Sequence, residues 1–378
     1  MVVEKMLENK DWSYYISLLQ NDQELDENQK KIILDGWIDL KQIFDDAWIK
    51  TANKWHPLLG YLKNQALWSR LWLACFGKRI SELKGEVHDE LKQRLLQEDE
   101  FKQAYAEIEV ASKFKENGYN AAFVKRKKKG KTPDILVEYG NRKLCVEVTM
   151  KFASEDWIEN RKTYMQLVDE YIFQYPGIKY FCTIHKSPLS TPKIKELKEK
   201  IKEKIEKVKE TGYEKFVEPN VFECYICTDE NISRVPLENR IIKGPKEFVD
   251  GSNQIRRIRG TIKEKVEQLC NDKPNILVIY ENSGFDLVIP FIEQNRIRDL
   301  VNNLDETVNE FSQLSALVVI WSFMGTVGES IEEKDNYIFS KRMEETGGIA
   351  KYMLIIKNRY PSTANCLTSE EIELIKKL

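Results

Sequence analysis

The chain has 378 residues, 42% of them hydrophobic and 32% charged, and a net charge of −2. That length accommodates two domains or one elaborated domain, and the near-zero charge excludes an overall pull towards nucleic acid, so any such binding must rest on local patches. Seven cysteines without disulfide spacing, a start (MVVEKMLENKDW) that lacks a signal peptide's basic and apolar segments, and no apolar run long enough for a bilayer predict a cytoplasmic protein with no membrane partner.

Residues 1–90 form a distinct compositional region holding six of the eight tryptophans: Trp12, Trp37, Trp48, Trp55, Trp68 and Trp72. Residues 29–50 and 59–76 carry apolar side chains at helical spacing, so a helical N-terminal region is expected, with a break near 81–88. Its aromatics read as core rather than as a base-stacking surface. Residues 91–378 read as one α/β domain with a long elaboration.

In that second region the spacing of Ala106, Val110, Ala111 and Phe114 predicts an amphipathic helix over 99–116, stopped by Gly118. Strands are predicted over 120–124, 135–139, 143–150, 179–184, 221–227, 276–280, 316–323 and 352–357. Gly140-Asn141 supplies a hairpin turn between the second and third of these. Helices are predicted over 156–173, over 193–210 behind a Ser190-Thr191-Pro192 start and before Gly212, and over 256–269. The 193–210 helix alternates Lys and Glu and reads as a surface helix packed through Ile194, Leu197, Ile201, Ile205 and Val208.

Chemistry concentrates between residues 107 and 151. Strand alternation puts Cys145, Glu147, Thr149 and Lys151 on one face and Val146, Val148 and Met150 on the other. Burying Glu147 beside a core is costly unless a cation neutralises it. Glu107 on the helix, Asp134 at the start of a strand and Glu147 on the next strand would meet at one end of a small sheet, beside a lysine. Mg²⁺ or Mn²⁺ takes such hard oxygen ligands and keeps several waters. Asp134 and Glu147 are then the principal ligands, with the Val148 carbonyl adjacent and Glu107 on the same or a second ion. Glu109 points about 160° away from Glu107 around the helix and competes poorly.

Immediately before Pro133-Asp134 runs KRKKKGK, whose Lys125, Arg126, Lys127, Lys128, Lys129 and Lys131 would contact a nucleic-acid backbone. Gly130-Lys131-Thr132 is no phosphate-binding loop, since the required earlier glycine is replaced by Lys125 and a strand follows. Cys224 and Cys227 lie at odd spacing on a strand, so their thiols point to opposite faces. His56, His88 and His185 are too scattered for a zinc site.

The order helical Glu107, Pro133-Asp134, then Glu147-Val148-Thr149 resembles the PD-(D/E)XK nuclease superfamily. Glu107 stands at the same distance from Gly118 as its counterpart in archaeal Holliday-junction resolvases. The resemblance implies a restriction-endonuclease-like mixed sheet flanked by helices and a metal-dependent nuclease, with DNA favoured over RNA. A homodimer would suit double-strand cutting. Thr149 departs from the pattern: it stands where the superfamily places the lysine that positions and activates the attacking water, and threonine supplies no charge. Lys151 lies on the same face about 7 Å further along and is the first substitute; Lys113 and Lys265 are weaker ones, and Lys265 and Gln268, on the helix over 256–269, could share a face with the site. Three alternatives stand beside the deoxyribonuclease: a nuclease fold that only binds nucleic acid, an RNA-directed nuclease, and an interaction protein with a solvated acidic rim.

Overall fold

The computed structural model describes residues 10–53, 56–64, 66–83, 85–125, 132–151, 178–186, 189–240, 242–243, 251–281, 296–324, 329–343 and 349–378, with 163, 166, 167, 175 and 177. It divides into two compact units, residues 1–151 with 254–378, and an inserted unit at 152–253.

In the first unit the N-terminal region is helical: α1 (Trp12–Gln20), α2 (Glu27–Lys41), α3 (Asp46–Thr51), α4 (Pro57–Lys63), α5 (Leu67–Glu82) and α6 (Asp89–Leu95). The continuous patterns expected over 29–50 and 59–76 are each split. Asp45 caps α3, its carboxylate accepting from Trp48 N at 2.7 Å, and Asn64 Oδ1 accepts from Ala66 N at 3.0 Å just before α5. Periodicity cannot see such a break, because a cap restarts the helix without disturbing the apolar spacing. Trp12 and Trp37 are fully buried in the core, as expected, while Trp48, Trp68 and Trp72 are half-buried; Trp55 lies outside the described residues.

Helices α2 and α5 cross with backbones in contact. A Cβ on Gly77 would run into the Gly36 carbonyl, and one on Gly36 into the Ala74 backbone. Gly77→Ala should therefore destabilise the protein by about 1–3 kcal/mol through overpacking, against the roughly 1 kcal/mol that alanine gains in helix propensity. A higher thermal midpoint in the variant would show that the helices can separate freely.

Helix α7 (Phe101–Glu116) follows, buried along most of its length and ending before Gly118, whose φ is 83°. Then come β1 (Asn120–Phe123), β2 (Ile135–Tyr139) and β3 (Arg142–Lys151), an antiparallel meander. Past the inserted unit, α9 (Gly251–Val266; α8 lies in the insert) leads to β8 (Asn275–Glu281), parallel to β3. Then α10 (Arg296–Asn309) leads to β9 (Ala316–Met324), parallel to β8. Antiparallel β10 (Ser330–Glu333), β11 (Tyr337–Met343) and β12 (Ile349–Lys357) close the sheet, followed by α11 (Ser369–Ile375). The strand order is β1-β2-β3-β8-β9-β12-β11-β10, a mixed sheet in an α/β protein.

One core joins Trp12, Trp37, Phe76 and Leu95 of the N-terminal helices, Ile108 and Phe114 of α7, and Val146, Val148, Ile276 and Val278 of the sheet. The opposite face packs Leu277 and Ile279 against Ile258, Ile262 and Val266 of α9 and Leu300 and Leu304 of α10. Side-chain alternation along β3 thus sends Val148 towards the α7 layer and Glu147 towards the α9 layer.

The inserted unit holds β4 (Ile178–Ile184), α8 (Thr191–Thr211), β5 (Tyr213–Glu218), β6 (Phe222–Thr228) and β7 (Ile242–Lys243), in strand order β5-β6-β4-β7. The α8 stripe Ile194, Leu197, Ile201, Ile205 and Val208 is buried as the sequence predicts, and Gly212 ends the helix at φ 72°. Cys224 and Cys227 fall in different clusters on the two faces of this sheet. The helix predicted over 156–173 lies almost wholly outside the described residues. No described helix is long and apolar enough to cross a membrane.

Candidate functional site

The site grows from a break in strand pairing. β2 pairs with β3 as far as Ile135 opposite Val146. One step further the register sets Asp134 opposite Glu147, but Asp134 sits in a bend and its side chain turns back onto β3. Its Oδ2 accepts from Val148 N at 2.9 Å, replacing the ladder bond that β2 no longer supplies. The next groups along this edge are satisfied from α7. Gln103 Nε2 donates to the Val148 carbonyl at 2.8 Å, and Met150 N donates to Gln103 Oε1 at 2.7 Å. A primary amide carries a donor and an acceptor on one plane, so the Gln103 side chain serves β3 as a one-residue strand.

The same Gln103 Nε2 donates to Glu107 Oε1 at 2.9 Å. The two are one helical turn apart, and the shared amide brings Glu107 beside the Val148 carbonyl. Both oxygens of Glu107, which is 3% exposed, accept from Arg94 of α6, at 2.8 Å each. Arg94 Nε also donates to Glu100 at 3.0 Å. Burial works against the Arg94 charge, but hydrogen bonding to Glu107 and the fields of Glu107, Glu100 and Asp134 outweigh it and push its pKa above the ordinary value. Arg94 is therefore a permanent cation bonded to Glu107 and Glu100 and within the field of Asp134.

Glu147, 2% exposed, lies on the other face of β3. Lys265, from the last turn of α9, donates to Glu147 Oε1 at 2.9 Å and to Gln268 Oε1 at 3.3 Å. In the fold Lys265 and Gln268 meet beside Glu147. Thr149 is half-buried. Lys151, also half-buried, ends β3 in register with Glu281 of β8. Lys125 is exposed at the end of β1, and Arg126, Lys127, Lys128, Lys129 and Lys131 lie outside the described residues.

Glu109 occupies a separate place on α7, as its angular offset predicts. Its carboxylate pairs with Arg79, with Lys351 at 3.3 Å and with the Tyr105 hydroxyl at 2.8 Å. Burial acts to raise its pKa, yet the charges of Arg79 and Lys351 and the Tyr105 hydrogen bond bring it down to about 2.

Asp134, closed onto Val148 N, and Glu147, the residue before Val148 on β3, are hard oxygen donors of the kind Mg²⁺ takes while keeping several of its waters. Among the described residues no group of three or more His, Cys, Asp or Glu is arranged to hold an ion. That agrees with Glu107 being held by Arg94. Sequence reasoning missed Gln103 and Arg94. The i, i+4 spacing of Gln103 and Glu107 was a usable signal, whereas nothing in the sequence connects α6 to Glu107. Neither a scan against protein-family models nor a search of the curated proteins returns a match to this chain.

Proposed function

We propose that this protein is a metal-dependent phosphodiesterase that cleaves DNA, built on a restriction-endonuclease-like fold of the PD-(D/E)XK type. The observation that carries the reading is the Asp134 carboxylate closing onto Val148 N of β3, next to Glu147, whose own carboxylate takes the Lys265 ammonium. The order of elements supports it: a helix, an antiparallel three-stranded meander, then a helix and a strand parallel to the third. The preference for DNA and for a homodimer rests on the resemblance.

Asp134 and Glu147 would hold the cation, with the Val148 carbonyl as a neutral third donor. When bound, the ion supplies Lewis-acid polarisation of the phosphoryl oxygen and makes water more acidic. Lys265 would take the role of the motif lysine from the helical side, orienting the attacking water and holding positive charge near the phosphate. It does so in place of Thr149, through its direct contact with Glu147. Arg94 would offer two N–H groups to a phosphate oxygen on release from Glu107.

A second reading, nucleic-acid binding without cleavage, is favoured by one observation. Arg94 occupies both oxygens of the third acid, as a bound cation would.

Incubating the chain with plasmid, single-stranded DNA and RNA, with Mg²⁺ or Mn²⁺ and with chelator, separates these readings. Metal-dependent cutting of DNA is expected; retention of DNA without cutting would leave the second reading. Lys265→Ala should slow cleavage about 10²-fold or more, the range for losing a positioned acid–base group, while Lys151→Ala cuts near the normal rate. The reverse ranking would return the role to Lys151.

A further inference from the structure

Two thiols near this site are placed to react with each other. Cys145 Sγ lies 3.2 Å from Cys270 Sγ. Cys145 is 1% exposed on β3, and Cys270 is partly exposed just beyond α9. Both backbones are held in place. Cys145 N donates to the Pro274 carbonyl at 2.9 Å, and Cys145 stands in register with Asn275 of β8. Asn275 in turn clamps Cys270: its Oδ1 accepts from Cys270 N at 2.9 Å, and its Nδ2 donates to the Cys270 carbonyl at 2.7 Å. Closing the 3.2 Å separation to a bond of about 2.05 Å brings the two sulfurs together by about 1 Å.

We propose that Cys145 and Cys270 are a reversible oxidation site, closing to a disulfide on exposure to a small-molecule disulfide such as oxidised glutathione. Cys270 reacts first, because it is partly exposed whereas Cys145 is buried. Its thiolate attacks one sulfur of the oxidant, breaking the oxidant's S–S bond and releasing one thiol, and a mixed disulfide forms at Cys270. Cys145 attacks Cys270 Sγ, its proton passing to the departing thiolate, and the second small thiol is released. Two protein thiols are oxidised by two electrons, and one oxidant molecule is reduced to two thiols.

The bond would enclose residues 146–269, including the whole inserted unit. It would also tie the strand bearing Glu147, two residues from Cys145, to the turn that follows Lys265 and Gln268. The consequence is a fixed spacing between the acid and the ammonium. This inference stands whether or not the chain cuts DNA, since its readout is thiol chemistry.

The other described cysteines provide contrasts. Cys182 and Cys224 are cross-strand partners, but both are buried from solvent, and Cys366 is exposed. The test treats the full chain with oxidised glutathione, alkylates the remaining thiols, and maps peptides by mass spectrometry. Expected are a cross-linked 145–270 peptide, loss of two of the seven thiols, a higher thermal midpoint because a long loop is closed, and reversal by dithiothreitol. Cys270→Ser should leave Cys145 reduced, and Cys145→Ser should trap the glutathione adduct on Cys270. A chain that keeps both thiols while Cys366 is glutathionylated, or that joins Cys270 to Cys366 instead, would overturn the proposal.

Discussion

Asp134→Asn should slow metal-dependent DNA cleavage by about two to three orders of magnitude while leaving the protein folded. Asparagine keeps an oxygen that can accept from Val148 N, so the strand edge stays closed. What it removes is the negative charge set opposite Glu147. A bound metal contributes several kcal/mol of transition-state stabilisation, and at about 1.4 kcal/mol per tenfold the loss should be about 10²–10³ in kcat/KM. Asp134→Ala should lose as much activity and, in addition, about 1–3 kcal/mol of stability, because the partly buried Val148 N–H is left without its acceptor. The two variants therefore separate the catalytic role of the carboxylate from its structural one. Cleavage at the normal rate by Asp134→Asn would remove Asp134 from the metal site, whereas equal DNA retention by both proteins in the absence of any cutting would favour the binding protein.

The second large effect concerns stability and pH. Glu109→Gln should cost about 3–5 kcal/mol near neutral pH, the range for breaking a buried ion pair, because Arg79 would stay buried without its counter-charge. The depressed pKa of Glu109, about 2 against an ordinary 4.5, sets the pH dependence. Its contribution is fully present above the unfolded value and fades as pH falls from about 4.5 towards 2, where the native carboxylate also protonates. Chemical denaturation of both proteins across that window should show the difference between them shrinking on acidification. A gap that stays constant from pH 6 to pH 3 would mean that Glu109 contributes through packing and not through charge.

Local pattern exposed much of this. The boundaries of β2 and the stripe of α8 follow from side-chain periodicity alone, since burying one face of a strand or helix is a short-range demand that each segment states for itself. The strands that escaped are those with weak apolar signals. Tyr213–Glu218 mixes charged and apolar side chains without a two-residue period at a sheet edge, and Ser330–Glu333 is exposed throughout, so backbone pairing and not burial holds them. Tyr337–Met343 ends in Lys341 and Arg342, which blurs the pattern of an otherwise buried strand.

By itself the sequence determined which residues share a face: Glu147 with Thr149 and Lys151, Glu107 turned away from Glu109, and the apolar sides that assemble the core. Only the tertiary structure decided what each acid meets. Lys265 reaches Glu147 across 118 positions, and Arg94 claims Glu107 from a different helix. Periodicity reports the direction in which a side chain leaves its own segment; the partner waiting there depends on how distant segments pack, and an ion pair leaves no period in either of them.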